Sequence, residues 1–455
     1  DTFEPKAKKL NIFTRKRIQG RLNIKKLNNA FETLLHKHEV LSYHVSRFRP
    51  GQYFIKNSPF AIIEESLEQL SNEQMEDVLK ESIQQLINYS PWPSNTPQII
   101  IRLFLLNDDS SELQLCIPHI ISDDLSPDIL LHDLSKFYNS NSKPNKNVAQ
   151  DRSYRDYLLD EQVYLKKHLN RDISFWEDYL KDACLHTFPS KYVIENMQEL
   201  NYSYSTYIEI PEITLGELSA FCARNHISIP DALCAVVALA LKNCTKANKD
   251  ISLCINRVKS TRENRDYDNT IGCFLRIEPI KLVVDEQTNL STISQEIHQE
   301  VINTSAYQGC PNLVKLASIS TFRKDNNIIK SSLAKTFFWL YSLIFQAQSY
   351  YKTFRVLERL SASKGDNFLI NINVQSSFLA PPPKEESLFG FIEQKVPPYQ
   401  YDLLEINNLF DVSFLRMPDS NNPFIVISAN LEPNYREAVG HEMIRILNDE
   451  LTITL

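Results

Sequence analysis

Residues 99–137 constrain the fold more than any other stretch of this chain. Ile99-Ile-Ile-Arg-Leu-Phe-Leu-Leu106 predicts a buried strand, and Asn107-Asp-Asp-Ser-Ser111 supplies turn chemistry before a second strand at Leu113–Ile117. His119 therefore sits where a strand ends. From Ser126 onward Ile129, Leu130, Leu131, Leu134 and Phe137 recur at helical spacing, so Asp123 to Ser126 mark a helix start with acidic and hydroxyl capping residues. Strand, histidine, tight corner and helix thus follow one another without a linker.

A histidine held by such a corner can present a ring nitrogen to a cleft. With an unperturbed pKa of about 6.5 it can take a proton from a hydroxyl or an amine at neutral pH, as acyl transfer asks of a general base. The structural alternative is a histidine satisfied at a strand end, with Asp123 bracing the corner; these residues alone favour that alternative.

The other polar signals are weaker. His36 and His38 lie two apart on a helical pattern and point to different faces, which favours packing over metal binding. The eight cysteines, from Cys116 to Cys310, form no C-x-x-C pair and fall in apolar runs, so they read as buried thiols in a reducing compartment. No metal site is expected. A net charge of −7 argues against nucleic-acid binding, and Lys6–Lys9 and Arg15–Arg17 read as a solvated edge or a strand's outer face. With eight glycines there is no phosphate-cradling Gly-rich loop. The charged N-terminus lacks an apolar run, so no secretory signal is read and a cytoplasmic location is expected. The most apolar stretch, Phe337–Phe345, is too short to span a bilayer; it predicts a packed helix leading into a polar helix at Gln346–Leu360.

The segment Pro118-His119-Ile120-Ile121-Ser122-Asp123-Asp124 resembles the His-His-x-x-x-Asp-Gly motif of the condensation-domain superfamily of acyltransferases, which includes the condensation domains of nonribosomal peptide synthetases. The catalytic histidine of the family falls on His119 and its structural aspartate on Asp123. Two positions depart: Pro118 stands for the first histidine and Asp124 for the glycine. Further likenesses follow in order. Arg17–Ile24 with Leu27, Ala30, Leu34 and His38-Glu39-Val40-Leu41 resembles the family's first strand, first helix and His-Glu-x-Leu segment, and Ser42 stands where the family carries an Arg that pairs with the motif's Asp. Tyr154–Leu165 and Ser174–Leu180 are similar to its linking helices, and Ile229–Leu241 and Ile251–Arg257 to its long central helix and the strand after it. Asn269–Leu275 resembles its Ile-Gly-x-Phe motif, Phe368–Gln375 a late strand bearing a glutamine, and Phe410-Asp-Val412 a Phe-Asp-Leu strand.

The resemblance implies a mixed α/β fold, a chloramphenicol-acetyltransferase-like pseudodimer of two halves in a V, each a sheet with helices on one side. Residues 1–170 would form the first half and 171–455 the second, with a crossing latch near 376–400. It implies an acyltransferase, free-standing or a module of a larger protein, that condenses a thioester-bound acyl or aminoacyl group with an amine or hydroxyl acceptor. The donor would arrive on phosphopantetheine, from an acyl or peptidyl carrier protein or coenzyme A, with no permanently bound cofactor and a monomeric enzyme. His119 would be the base, Asp123 and Asp124 would organise the corner, and Leu125 and Gln375 are candidate oxyanion or channel positions. Two alternatives stand beside it: a coenzyme-A-dependent alcohol O-acyltransferase, and a non-catalytic relative that binds a carrier protein or partner enzyme.

The remaining punctuation is local. Arg49-Pro-Gly51 predicts a hairpin between Val45 and Ile55, Ser90–Pro97 a loop before the central strand, and Asn139–Gln150 a polar surface loop. Ala380-Pro-Pro-Pro-Lys384 lacks amide donors and opens an excursion between Gln375 and Phe410.

Overall fold

The computed structural model describes residues 11–45, 52–55, 60–89, 99–107, 109–140, 152–194, 204–245, 250–262, 265–310, 367–379, 387–394, 409–417 and 422–452, with the single positions 144, 312, 315, 318, 319 and 420. The expectations at Lys6–Lys9, Arg49–Gly51, Ser90–Pro97, Phe337–Phe345, Gln346–Leu360 and Ala380–Lys384 lie outside them, as does nearly all of the 141–150 loop.

The apolar runs of the first part build one mixed sheet. Its strands are β1 (Asn11–Gln19), β4 (Ala61–Ser66), β5 (Ile100–Leu105), β6 (Ser111–Pro118), β12 (Ser387–Leu388) and β13 (Phe391–Gln394), in the order β12-β13-β1-β6-β5-β4. The central hairpin β5–β6 pairs Leu103 with Leu113 and Ile100 with Cys116. Helices α1 (Ile24–Lys37) and α3 (Ser126–Asn139) cover one face through Leu27, Phe31, Leu34, Leu130 and Leu134. Helix α2 (Asn72–Ile87) covers the other, placing Met75 and Leu79 on Phe104. Helices on one side only were expected; β6 is buried at every position, so both of its faces need a cover. The first strand also starts earlier than Arg17 and ends at Gln19, because Gly20 turns at φ +154° and the ring of Phe391 occupies the space a Cβ would need. The small strands β2 (Tyr43–Val45) and β3 (Gln52–Phe54) pair antiparallel, with the residues between them outside the described ones.

The second sheet runs β10-β9-β11-β14-β15-β8, from β8 (Ser205–Glu209), β9 (Ile251–Ser260), β10 (Leu275–Val284), β11 (Asn367–Val374), β14 (Leu409–Arg416) and β15 (Pro423–Ser428), with β7 (His186–Thr187) on β11. Parallel pairing is confined to β9–β11 and β11–β14. Its core is organised by α6 (Ile229–Thr245), apolar all round and fully buried from Ala232 to Ala238, flanked by α5 (Glu212–Asn225), α7 (Leu290–Thr304) and α9 (Pro433–Thr452). Helix α8 (Ser376–Leu379) is one turn after β11. Strands β12 and β13 lie in sequence between β11 and β14 of the second sheet, yet β13 pairs with β1 of the first, Arg17 opposite Gln394.

The two expected linking helices are a single helix, α4 (Tyr154–Tyr179). Nothing between Lys166 and Ile173 breaks it, since neither Gly nor Pro occurs there, and the buried Asp172 accepts the Gly309 amide at 2.7 Å from mid-helix. Among the described residues no single helix is long and apolar enough to cross a membrane.

Candidate active site

β6 ends on Pro118, whose φ of −62° leads into a single helical turn at His119–Ile121. Ile121 is buried in the first core and anchors the turn, while the Ser122 hydroxyl donates to the Pro118 carbonyl at 2.9 Å. His119 is left half-buried on the outside of the bend. Its Nδ1 lies 2.8 Å from the Ser122 carbonyl oxygen. A carbonyl only accepts, so Nδ1 carries the hydrogen and the neutral ring keeps its lone pair on Nε2.

The next peptide is fixed from the other side. The Asp123 amide donates to Ser126 Oγ at 3.1 Å, and Ser126 returns its hydroxyl to Asp123 Oδ1 at 2.7 Å and its own amide to the same oxygen at 3.1 Å. The helix start therefore differs in detail from expectation. Leu125 is the geometric cap and makes no side-chain capping bond; Asp123 accepts the first amide from two residues further back.

Asp123 meets a cation that sequence reading did not supply. Arg262, two residues past the end of β9, donates from Nε at 3.0 Å and from Nη2 at 2.9 Å, and the pair is about 95% withdrawn from solvent. The Phe274 amide also donates to Asp123 Oδ2, at 3.3 Å. Arg262 also bonds the Tyr267 carbonyl through Nη1 and stacks 4.1 Å over the Phe274 ring. Ser42, at the position of the family's arginine, is buried and gives its carbonyl to the Ile55 amide. The signal that could have found Arg262 was its place after the β9 run, just ahead of the Ile-Gly-x-Phe segment.

Asp124 is exposed and reaches across to the second sheet, where its Oδ2 accepts the Ser376 amide at 2.9 Å. Gln375 immediately precedes that amide and is itself tied by its N–H to Phe414 at 2.9 Å. The fold thus brings the motif corner and the glutamine-bearing strand end together. Leu125 is half-buried at the entrance of α3. Gly272 lies on the same corner, its amide 3.3 Å from Ser126 Oγ, and the Tyr154 ring packs 2.3 Å from where a Cβ would stand.

Burial pushes the Cys273 thiol beside the site up to about 12, with the Asp123 charge adding to the effect, so it stays protonated. His38 lies in a buried pair with Asp133 at 2.7 Å. Among the described residues no group of three or more His, Cys, Asp or Glu could hold a metal ion.

Residues 2–366 match the model of the condensation domain. The chain belongs to the condensation-domain family. Among relatives of this condensation domain, gramicidin S synthase 2 of Brevibacillus brevis is 22% identical over 299 residues; the match covers 65% of this chain and spans only 6% of the synthase. The epimerization domain from the third module of tyrocidine synthetase B aligns with a TM-score of 0.68 at 14% identity, covering 97% of this chain and 92% of that one. The X-domain from teicoplanin biosynthesis gives 0.67 at 15%, covering 99% and 92%. The condensation domain therefore has the two-sheet pseudodimer architecture of these structures.

Proposed function

We propose that this chain is an acyltransferase that moves an acyl or aminoacyl group from the phosphopantetheine thioester of a carrier protein to an amine or hydroxyl acceptor. The observation that carries the reading is the Nδ1–H bond from His119 to Ser122, which leaves Nε2 as the basic nitrogen. As the acceptor attacks the thioester carbonyl, Nε2 takes the acceptor's proton. The tetrahedral oxyanion is met by backbone amides near Asp124 and Leu125, at the start of α3 where the helix dipole favours negative charge. Collapse breaks the carbon–sulfur bond, and the departing thiolate recovers the proton from His119. No acyl-enzyme forms. In this reading residues 1–170 form the first half and 171–455 the second, and the reaction belongs to the cytoplasm.

A second reading, a domain that recruits a carrier or partner enzyme without chemistry, draws support from Pro118 and from the Asp124–Ser376 bond across the seam. The solved complex of the X-domain and OxyB from teicoplanin biosynthesis is a precedent for partner binding by a protein of this fold.

Intact-mass monitoring separates the readings. Acyl-carrier proteins and acyl-coenzyme A thioesters are incubated with alcohols and amines beside the wild-type protein and His119→Ala. Acceptor-dependent loss of acyl mass, slowed about 10²- to 10⁴-fold in the variant, is expected. Equal transfer by both removes His119 from the chemistry, and carrier binding without transfer by either favours recruitment.

A further inference from the structure

Asp123 and Asp124 are neighbours in sequence, and each sends its carboxylate out of the first half of the fold. Arg262, which meets Asp123, and Ser376, whose amide meets Asp124, follow the C-terminal ends of β9 and β11. Those two strands run parallel and side by side in the second sheet. The corner that carries His119 is therefore mounted across two adjacent strand ends. Among the described residues no cation of the first half pairs with either carboxylate, so the second half alone sets how the corner is turned.

The two attachments differ in kind. The Asp123–Arg262 contact is buried and two-pronged, whereas the Asp124 bond is a single charge-assisted one from an exposed side chain. One exposed bond adds little to the stability of a fold, so what it supplies is direction. Its donor has a fixed place: the Gln375 amide is tied to the Phe414 carbonyl, the Phe378 amide to the Gln375 carbonyl at 3.1 Å, and the Arg416 amide to Ser377 Oγ at 3.3 Å.

His119 feels this mount through the backbone. The carbonyl that accepts its Nδ1–H belongs to the peptide joining Ser122 to Asp123, and turning that peptide turns the ring. Held at Asp123 alone, the chain can pivot about the ion pair; held at Asp124 as well, it is fixed at two successive residues. Glycine, the residue of the family motif at this position, has no side chain to make the second attachment.

We infer that Asp124 is a positioning residue for His119: its bond to the Ser376 amide is the second of two points that fix the corner and aim Nε2. The inference deepens the acyl-transfer reading, on which the role of Nε2 rests.

The full chain is compared with Asp124→Asn, Asp124→Ala, Ser376→Pro and the double variant Asp124→Ala/Ser376→Pro. Asparagine keeps an oxygen for the Ser376 amide, and proline removes that N–H while suiting the first position of a helix. The alanine and proline variants are expected to lose about tenfold or more in kcat, with KM changed by less than about threefold. Asp124→Asn should stay within about threefold of wild type, and the double variant should lose no more than the worse single one. Melting temperatures should hardly move. A loss in Asp124→Asn as deep as in Asp124→Ala, an unaffected Ser376→Pro, or losses that multiply in the double variant overturns the inference. Should Ser376→Pro fail to fold, the two variants of exposed Asp124 carry the test. A second readout needs no turnover. In protein labelled with nitrogen-15 in histidine, the His119 ring signals, identified by their absence from His119→Ala, should report Nδ1–H in wild type and Asp124→Asn. They should move towards mixed tautomers in Asp124→Ala and Ser376→Pro. Identical ring signals in all four overturn the inference. The expected movement in a protein that transfers no acyl group leaves the positioning standing and removes the reaction.

Discussion

Arg262 and Asp123 come from different sheets, and their contact closes the corner that carries His119. Removing one partner of a buried ion pair leaves a desolvated charge, so Arg262→Met should lower stability by about 3–5 kcal/mol, read as a shift in urea midpoint. Arg262→Lys keeps the charge without the two-pronged geometry and should fall between. Ser126→Ala would take the acceptor from the Asp123 amide and a partner from Gly272, and acyl transfer should slow about tenfold or more through loss of alignment of the Ser122–Asp123 peptide. His119 and Asp123 could be named as candidates through the resemblance of residues 118–124 to the family motif, not from spacing alone. Arg262 could not, because an ion pair across 139 residues leaves no local periodicity to read. Asp124 could be named as a departure, but its Ser376 partner is a backbone amide, and every residue but proline has one.

At the scale of the elements, α4 is held at its start by a reciprocal cap in which the Ser153 hydroxyl accepts the Asp156 amide and the Asp156 carboxylate accepts the Ser153 amide. Ser153→Ala should cost about 1 kcal/mol, with the urea midpoint lowered and its slope unchanged. Tyr154 follows the cap and meets the Gly272 loop, where its hydroxyl donates to the Cys273 carbonyl at 3.0 Å. A methyl at Gly272 would strike this ring, so Gly272→Ala should displace the loop and weaken acyl transfer along with stability. Helices α1 and α3 were legible from one buried face, and β5 and α6 from nearly continuous apolar runs. What the pattern hid was continuity. The stretch from Tyr154 to Tyr179 has only Asp172 and Trp176 buried, so its apolar signal lapses mid-way although the helix does not. The helix α2 cover on β6 was hidden for a related reason: Glu112 and Gln114 face it, polar in sequence and fully buried in the fold.

For the molecule as a whole, two kinds of buried group bound the pH range of stability. Burial holds the His186 imidazole down to about 4. Between that value and the unfolded pKa of about 6.5 the unfolded chain binds the extra proton, so stability rises with pH through this window and is lost below it. The thiols of Cys116, Cys234, Cys254 and Cys273 are pushed up to about 12 by burial. Above about 8.5 the unfolded chain gives up thiol protons that the folded chain keeps, so stability falls as pH rises towards 12. A melting-temperature profile should show a plateau between roughly 6.5 and 8.5 with a decline on either side. His186→Phe should flatten the acid limb alone, and its difference from wild type isolates His186 from Asp411, whose raised carboxyl acts in the opposite sense. The interleaving of the sheets adds a constraint on how the protein is made. The edge of β1 that receives β13 stays open until residues near Gln394 leave the ribosome. At ordinary synthesis rates that is roughly 20 to 75 s after β1 appears. For that time the nascent chain presents an open strand edge, so sequestration by a chaperone during translation, rather than the stability of the finished fold, should limit the yield of soluble protein.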